Sequence, residues 1–135
     1  MTNKGKVLII DDDPDLCAAL HAALAADGFV VYTAGDGSLG LEMMREEKPD
    51  LVFLDIIMRG PVEGVWVSEE IYDDPQLRDV PVVMLTSIVD SKYAGYFPTD
   101  RPLRADMFLD KPAPIGKILE VANHYVGQPT SPASA

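Results

Sequence analysis

The sequence predicts an open α/β fold: a doubly wound, five-stranded parallel sheet of strand order 2-1-3-4-5, with helices on both faces. Two patterns carry that expectation. Short, uninterrupted apolar runs recur along the chain, and amphipathic helical stretches alternate with them. Strands buried on both faces read as continuous apolar runs, whereas half-exposed strands alternate. Strands that alternate with helices form a parallel sheet with right-handed crossovers. Size sets the remaining limit. A chain of 135 residues provides one core, and five β-α units are too few to close an eight-stranded barrel. There is no internal repeat.

The first strand is Lys6 followed by Val7-Leu8-Ile9-Ile10. Asp11-Asp12-Asp13-Pro14 follows, where Asp13 suits a helix N-cap and Pro14 the first helical position. Leu16, Leu20 and Leu24, with Ala19 and Ala23, mark the inward face of the first helix, and Asp27-Gly28 stops it. Cys17 reads as a small core residue. Residues 29–33 make a second, less apolar strand, and residues 34–37 a turn. A second helix is expected over 39–47, with Leu39, Met43 and Met44 inward and Gly40 weakening it.

Lys48-Pro49-Asp50 breaks that helix, and Leu51-Val52-Phe53-Leu54 forms a third strand ending at Asp55. Residues 56–61 read as a loop. A third helix is expected from about residue 63 to 73, burying Val67 and Ile71, with Trp66 near its start. Residues 80–85 make the fourth strand, with Pro81 near its beginning, and lead into Thr86-Ser87. Met107-Phe108-Leu109 is the fifth strand and leads into Asp110-Lys111-Pro112. Ile115, Ile118, Leu119 and Ala122 mark the face of a final helix. Between strands four and five, Pro98 and Pro102 forbid a regular helix over 95–105. The run from Gly127 onward is rich in Pro, Ser and Ala, so the expected organisation is one domain, 1–126, and a disordered tail, 127–135.

Composition narrows the function. With 47% apolar and 24% charged residues the chain has an ordinary soluble mix. No charged start leads into an apolar run, and no apolar stretch is long enough to span a bilayer, so a cytoplasmic protein without membrane association is expected. A single cysteine excludes an internal disulfide. The formal net charge of −11 and the lack of any Lys/Arg cluster argue against direct nucleic-acid binding. Such acidity instead raises the prospect of carboxylates gathered around a cation.

Ligands of open parallel sheets bind beyond the carboxyl ends of the strands, at the switch point between strands one and three. Strand one delivers Asp11 and Asp12 there, strand three Asp55, strand four Thr86 and Ser87, and strand five Lys111. Crowded carboxylates repel and raise one another's pKa, so they need a counter-ion. Oxygen-only ligands suit a hard cation, Mg²⁺ or Mn²⁺. Lys111 adds a fixed positive charge. The Thr86 hydroxyl then completes a pocket that fits a phosphoryl group, with Asp55 as the nucleophile for an acyl phosphate. Singly, each residue has a plainer reading: cap and loop aspartates, a turn threonine, a surface lysine. Four strands ending in such groups at one edge favour the joint reading. No glycine-rich phosphate loop follows strand one. A flavin-binding module with the same sheet would carry a loop rich in Ser, Thr and Gly there.

Val7-Leu8-Ile9-Ile10-Asp11-Asp12-Asp13-Pro14 resembles the opening of the response-regulator receiver family of two-component signalling. Leu54-Asp55-Ile56-Ile57-Met58 resembles its phosphoacceptor segment. Val82-Val83-Met84-Leu85-Thr86-Ser87 and Asp110-Lys111-Pro112 resemble its remaining two blocks, and the likeness covers roughly residues 5–126. It implies a flavodoxin-like (βα)5 fold and a phosphoacceptor role for Asp55. It implies Mg²⁺ held by Asp12 with Asp11 close by, by Asp55 and by the backbone carbonyl of Ile57. Thr86 and Lys111 would contact the phosphoryl group, with Ser87 leaving it room to enter. Phe108 would be the aromatic switch residue, and the Lys111-Pro112 bond would be cis. Ile57 and Ile88 occupy the family's water-access positions. Both are apolar and would shield an acyl phosphate from hydrolysis.

The implied partners are a histidine kinase or phosphotransfer protein upstream and a protein target downstream, or a second copy of the chain. On this reading the protein is a signalling switch that catalyses at most its own phosphorylation and dephosphorylation. A receiver-like adaptor that is never phosphorylated is the alternative. The sequence departs from the family at three places. Arg59 stands where proline is usual and Glu63-Gly64 comes late, although the turn-forming glycines remain. The stretch between Thr86 and Lys111 is longer than usual and proline-broken. The residues after Val126 are too few to fold as an output domain.

Overall fold

The computed structural model describes residues 4–55, 61–86, 106–111 and 113–126. Its strands are β1 (Lys6–Ile10), β2 (Val30–Ala34), β3 (Leu51–Asp55), β4 (Val82–Thr86) and β5 (Met107–Asp110). Its helices are α1 (Pro14–Ala26), α2 (Gly37–Glu47), α3 (Pro61–Asp73) and α4 (Ile115–Tyr125). All strands pair in parallel, in the order β2-β1-β3-β4-β5. The expected open, doubly wound sheet is therefore present. The stretch 95–105, expected to be irregular, and the tail 127–135 lie outside the described residues.

The sheet divides the core in two because successive side chains on a strand point to opposite faces. Val7 and Ile9 of β1 join Leu51 and Phe53 of β3 and Val83 and Leu85 of β4 beneath α1 and α4. Leu8 and Ile10 join Val52, Leu54, Val82 and Met84 beneath α2 and α3. Every residue of β3 is buried, as befits the strand in the middle of the sheet.

Helix ends follow local chemistry. Asp13 is the N-cap of α1, with its Oδ1 accepting from the amides of Asp15 (3.0 Å) and Leu16 (3.2 Å). Asp36 caps α2 in the same way, taking the Leu39 amide at 2.8 Å, so α2 opens at Gly37 rather than at residue 39. Lys48 ends α2 in the left-handed region at φ 51°. β4 starts at Val82, later than expected. The Val80 amide donates back to Leu77 in a turn, and Pro81 has no amide to donate.

Several expected facings are corrected. Leu39 is 42% exposed, and the inward face of α2 is Gly37, Gly40, Leu41 and Met44, with Met43 half-buried. A Cβ on Gly40 would lie 2.6 Å from Ile10 Cδ1, and one on Gly37 would lie 2.5 Å from Val67 Cγ2. Glycine at these two positions lets α2 sit directly on β1 and α3. In α1, Cys17, Leu20 and Leu24 are buried while Ala19 is exposed. In α4, Ile118, Val121 and Ala122 are buried but Ile115 is exposed. Gly64 lies inside α3, not in a turn. Val67 and Ile71 are fully buried, as expected.

Candidate functional site

β1 and β3 are neighbours in register, with Ile10 opposite Leu54. The residue after each is therefore an aspartate at the same edge of the sheet: Asp11 and Asp55. Asp11, Asp12 and Asp55 each bring a carboxylate oxygen to within 4.8 Å of the others. Asp11 and Asp55 are 1% and 3% exposed, whereas Asp12 faces solvent.

Burying two carboxylates costs several kcal/mol apiece unless charge and hydrogen bonds compensate. Lys111, one residue beyond β5, provides the charge. Its Nζ lies 3.1 Å from Asp11 Oδ2 and 3.3 Å from Asp55 Oδ2. Burial would lower the pKa of this ammonium, but the charges of Asp55 and Asp11 outweigh it and the net shift is upward. Lys111 thus stays protonated throughout the physiological range.

Asp11 is held from all sides. Its Oδ1 accepts the Asp13 amide at 2.9 Å, its own amide donates to Ala34 O at 3.0 Å, and its carbonyl accepts from Cys17 Sγ at 3.3 Å. Burial first, then the charge of Asp11, pushes the Cys17 thiol up to about 11, so it stays neutral beside the carboxylates.

Three carboxylates against one ammonium leave two negative charges at this edge. An all-oxygen donor set with that residual charge fits a hard divalent cation. Asp12, on the solvent side, gives such an ion a way in.

The sequence expectations meet the structure unevenly. Asp11, Asp12, Asp55 and Lys111 come together as expected. Thr86 closes β4 in register with Asp110, beside them in the sheet. Phe108 stands on β5, 60% exposed. Ile57, Ser87, Ile88, Arg59 and Pro112 lie outside the described residues, and the expected cis Lys111-Pro112 bond with them. Sequence reasoning missed the part played by Glu63. Its Oε2 accepts the Gly37 amide at 2.7 Å and so ties the first turn of α3 to the start of α2. That link spans 26 residues, and no local spacing announces it. A cleft of about 330 Å³ also opens beside Lys111 between α1 and α4, walled by Leu16, Leu20, Leu85 and Ile118.

Comparison with known proteins agrees with this geometry. Residues 7–123 match the family model of the response regulator receiver domain. The chain belongs to that family. It is 40% identical over 90 residues, 67% of its length, to a probable transcriptional regulator, ycf27, of Guillardia theta, and covers 34% of that protein. It is 39% identical over 90 residues to the DNA-binding response regulator MtrA of Mycolicibacterium smegmatis, covering 67% of this chain and 38% of MtrA. The chain therefore spans about a third of the length of these curated relatives. Among solved structures, the N-terminal domain of a response regulator receiver protein from Methanoculleus marisnigri superposes with a TM-score of 0.62 at 29% identity, over 93% of this chain and 98% of that one. The receiver domain of a histidine kinase from Syntrophus aciditrophicus gives a TM-score of 0.77 at 23% identity, covering 90% and 89%, a likeness of fold. No helix among the described residues is long and apolar enough to cross a membrane.

Proposed function

We propose that this receiver domain is a phosphorylation switch and that Asp55 is its phosphoacceptor. The observation that carries this reading is the placement of Asp55: buried at the end of the central strand, 3.3 Å from a lysine ammonium and within an oxygen cluster fit for a divalent cation. A carboxylate oxygen of Asp55 attacks the phosphorus of a phosphohistidine on a histidine kinase or phosphotransfer protein. The P–N bond breaks, the imidazole leaves, and an acyl phosphate forms. In this reading Lys111, 3.3 Å from Asp55, releases its hold on that carboxylate and meets the incoming phosphoryl oxygens. Mg²⁺, or Mn²⁺, held by Asp11, Asp12, Asp55 and the Ile57 carbonyl, would neutralise charge on the transferring group.

Thr86, with Ser87 beside it, takes the role of hydroxyl donor to the phosphoryl group, and Phe108 that of the side chain that responds to it. The signal leaves by protein contacts, to a downstream target or to a second copy, from a domain spanning 1–126. Incubation with acetyl phosphate and Mg²⁺ should add one phosphoryl mass to the intact protein. Asp55→Asn should abolish the adduct. Full labelling of that variant would refute the assignment, and no labelling of the parent would favour a receiver-like adaptor that is never phosphorylated.

A further inference from the structure

α2 and α3 lie together on one face of the sheet, and a groove runs between their outer surfaces. Leu41, Glu42, Arg45 and Glu46 line it from α2, and Trp66 and Glu70 from α3. Trp66 is the single tryptophan of the chain and is 39% exposed. Indole carries a large apolar area, and tryptophan left open at a surface is characteristic of contact sites. Tyr72, equally exposed, already has the Arg78 guanidinium 6.0 Å from its ring centroid. Leu39 shares the flank of α2 with Glu42 and Glu46, three and seven residues on, and is 42% exposed.

The charge of the groove is one-sided. Among the described residues Arg45 is its only basic lining residue, and Arg45 Nε is engaged by Asp74 Oδ2 at 3.3 Å. Among the described residues, Glu42, Glu46 and Glu70 thus line the groove beside Trp66 against one cation, Arg45, that is shared with Asp74. The surface combines an aromatic face, a flanking aliphatic residue and three carboxylates.

We propose that the α2–α3 groove is a docking surface for a basic, amphipathic helical segment of a partner protein. A Lys or Arg of that segment stacks on the Trp66 indole, its apolar residues meet Leu39 and the edge of the indole, and its other cations face Glu42, Glu46 and Glu70. Charge complementarity selects this occupant. The same carboxylates, on a chain of net charge −11, repel nucleic acid, anionic lipid and a second copy of this chain. The proposal needs no phosphoryl group on Asp55 and stands apart from that assignment.

Trp66 is itself the reporter, since all tryptophan emission arises in the groove. The probe is a synthetic amphipathic helix of Leu and Lys, with a Leu and Glu peptide of the same pattern as control. The Lys peptide should shift Trp66 emission to the blue, and the Glu peptide should not. Calorimetry should then compare two double variants of equal charge: Glu42→Gln with Glu70→Gln in the groove, and Asp15→Asn with Glu120→Gln on α1 and α4. The groove pair should weaken binding roughly tenfold and the distant pair less than about twofold. Unchanged circular dichroism would show that both variants fold. Equal weakening by the two pairs, no blue shift with the Lys peptide, or equal binding of both peptides would overturn the proposal.

Discussion

The two faces of the sheet are covered by different means. On one face α2 meets its neighbours at backbone distance, because Gly37 and Gly40 leave no room for even a methyl group against Val67 and Ile10. On the other face α1 and α4 rest on the sheet through long side chains such as Leu20, Leu24, Ile118 and Val121. That second arrangement leaves the cleft beside Lys111. Backbone contact pins α2 at Gly37 and Gly40, whereas the α1–α4 face keeps a cleft next to the charge cluster.

The largest expected effect tests the side-chain face. Leu24 is fully buried, and Leu24→Ala should cost about 2–5 kcal/mol through lost burial and the cavity left behind. A urea titration measures it, and a loss under 1 kcal/mol would mean that α1 settles into the gap.

Gly40→Ala tests the other face. The new methyl would meet three Ile10 carbons at 2.6 to 3.0 Å. Overpacking of this kind costs about 1–3 kcal/mol, against about 1 kcal/mol recovered in helix propensity. The variant should be net destabilised, which is the reverse of the usual outcome of Gly→Ala in a helix.

Gly116 in α4 sharpens the contrast, since a Cβ there meets nothing within 4 Å. Gly116→Ala should stabilise by about 0.4–1 kcal/mol. Thermal melts of the two glycine variants should therefore move in opposite directions.

The last effect is confined to alkaline pH and belongs to Cys17. Its thiol ionises near 9.0 when unfolded and at about 11 in the fold. The folded state thus retains a proton that the unfolded state gives up. The stability this provides is fully present below pH 9.0 and is lost as pH rises towards about 11. Cys17→Ala should flatten that part of the pH profile, and alkylation of native Cys17 at neutral pH should be slow.

These contrasts also mark how far the sequence could be read. The strands were legible because continuous runs such as Val7-Leu8-Ile9-Ile10 admit few alternatives in a chain this short. The charge cluster was legible for a related reason. Asp11, Asp55 and Lys111 end three such runs, and a parallel sheet gathers the ends of its strands. Helix facing was harder to read. Hydrophobicity pointed α2 inward through Leu39, but two of its four buried positions are glycines, which add no apolar area and are buried for lack of size. Ala19 and Ile115 erred in the same way, since an apolar residue near a helix end or on a flank need not face the core. The Glu63–Gly37 link joins residues whose neighbourhood exists only once α3 lies beside α2.

The in-register pairing of Ile10 with Leu54 bears on which genetic lesions the protein can survive. Neighbouring strands lie about 4.8 Å apart, and the spacing of the Asp11 and Asp55 carboxylates derives from that distance. A one-codon deletion within residues 7–10 or 51–54 would put the two aspartates out of step. The same deletion would send each strand's alternate side chains to the wrong half of the core. Single-residue deletions in these strands should therefore remove the folded protein and its charge cluster together. Inherited changes that silence the site while sparing the fold should be replacements of Asp11, Asp12, Asp55 or Lys111 themselves.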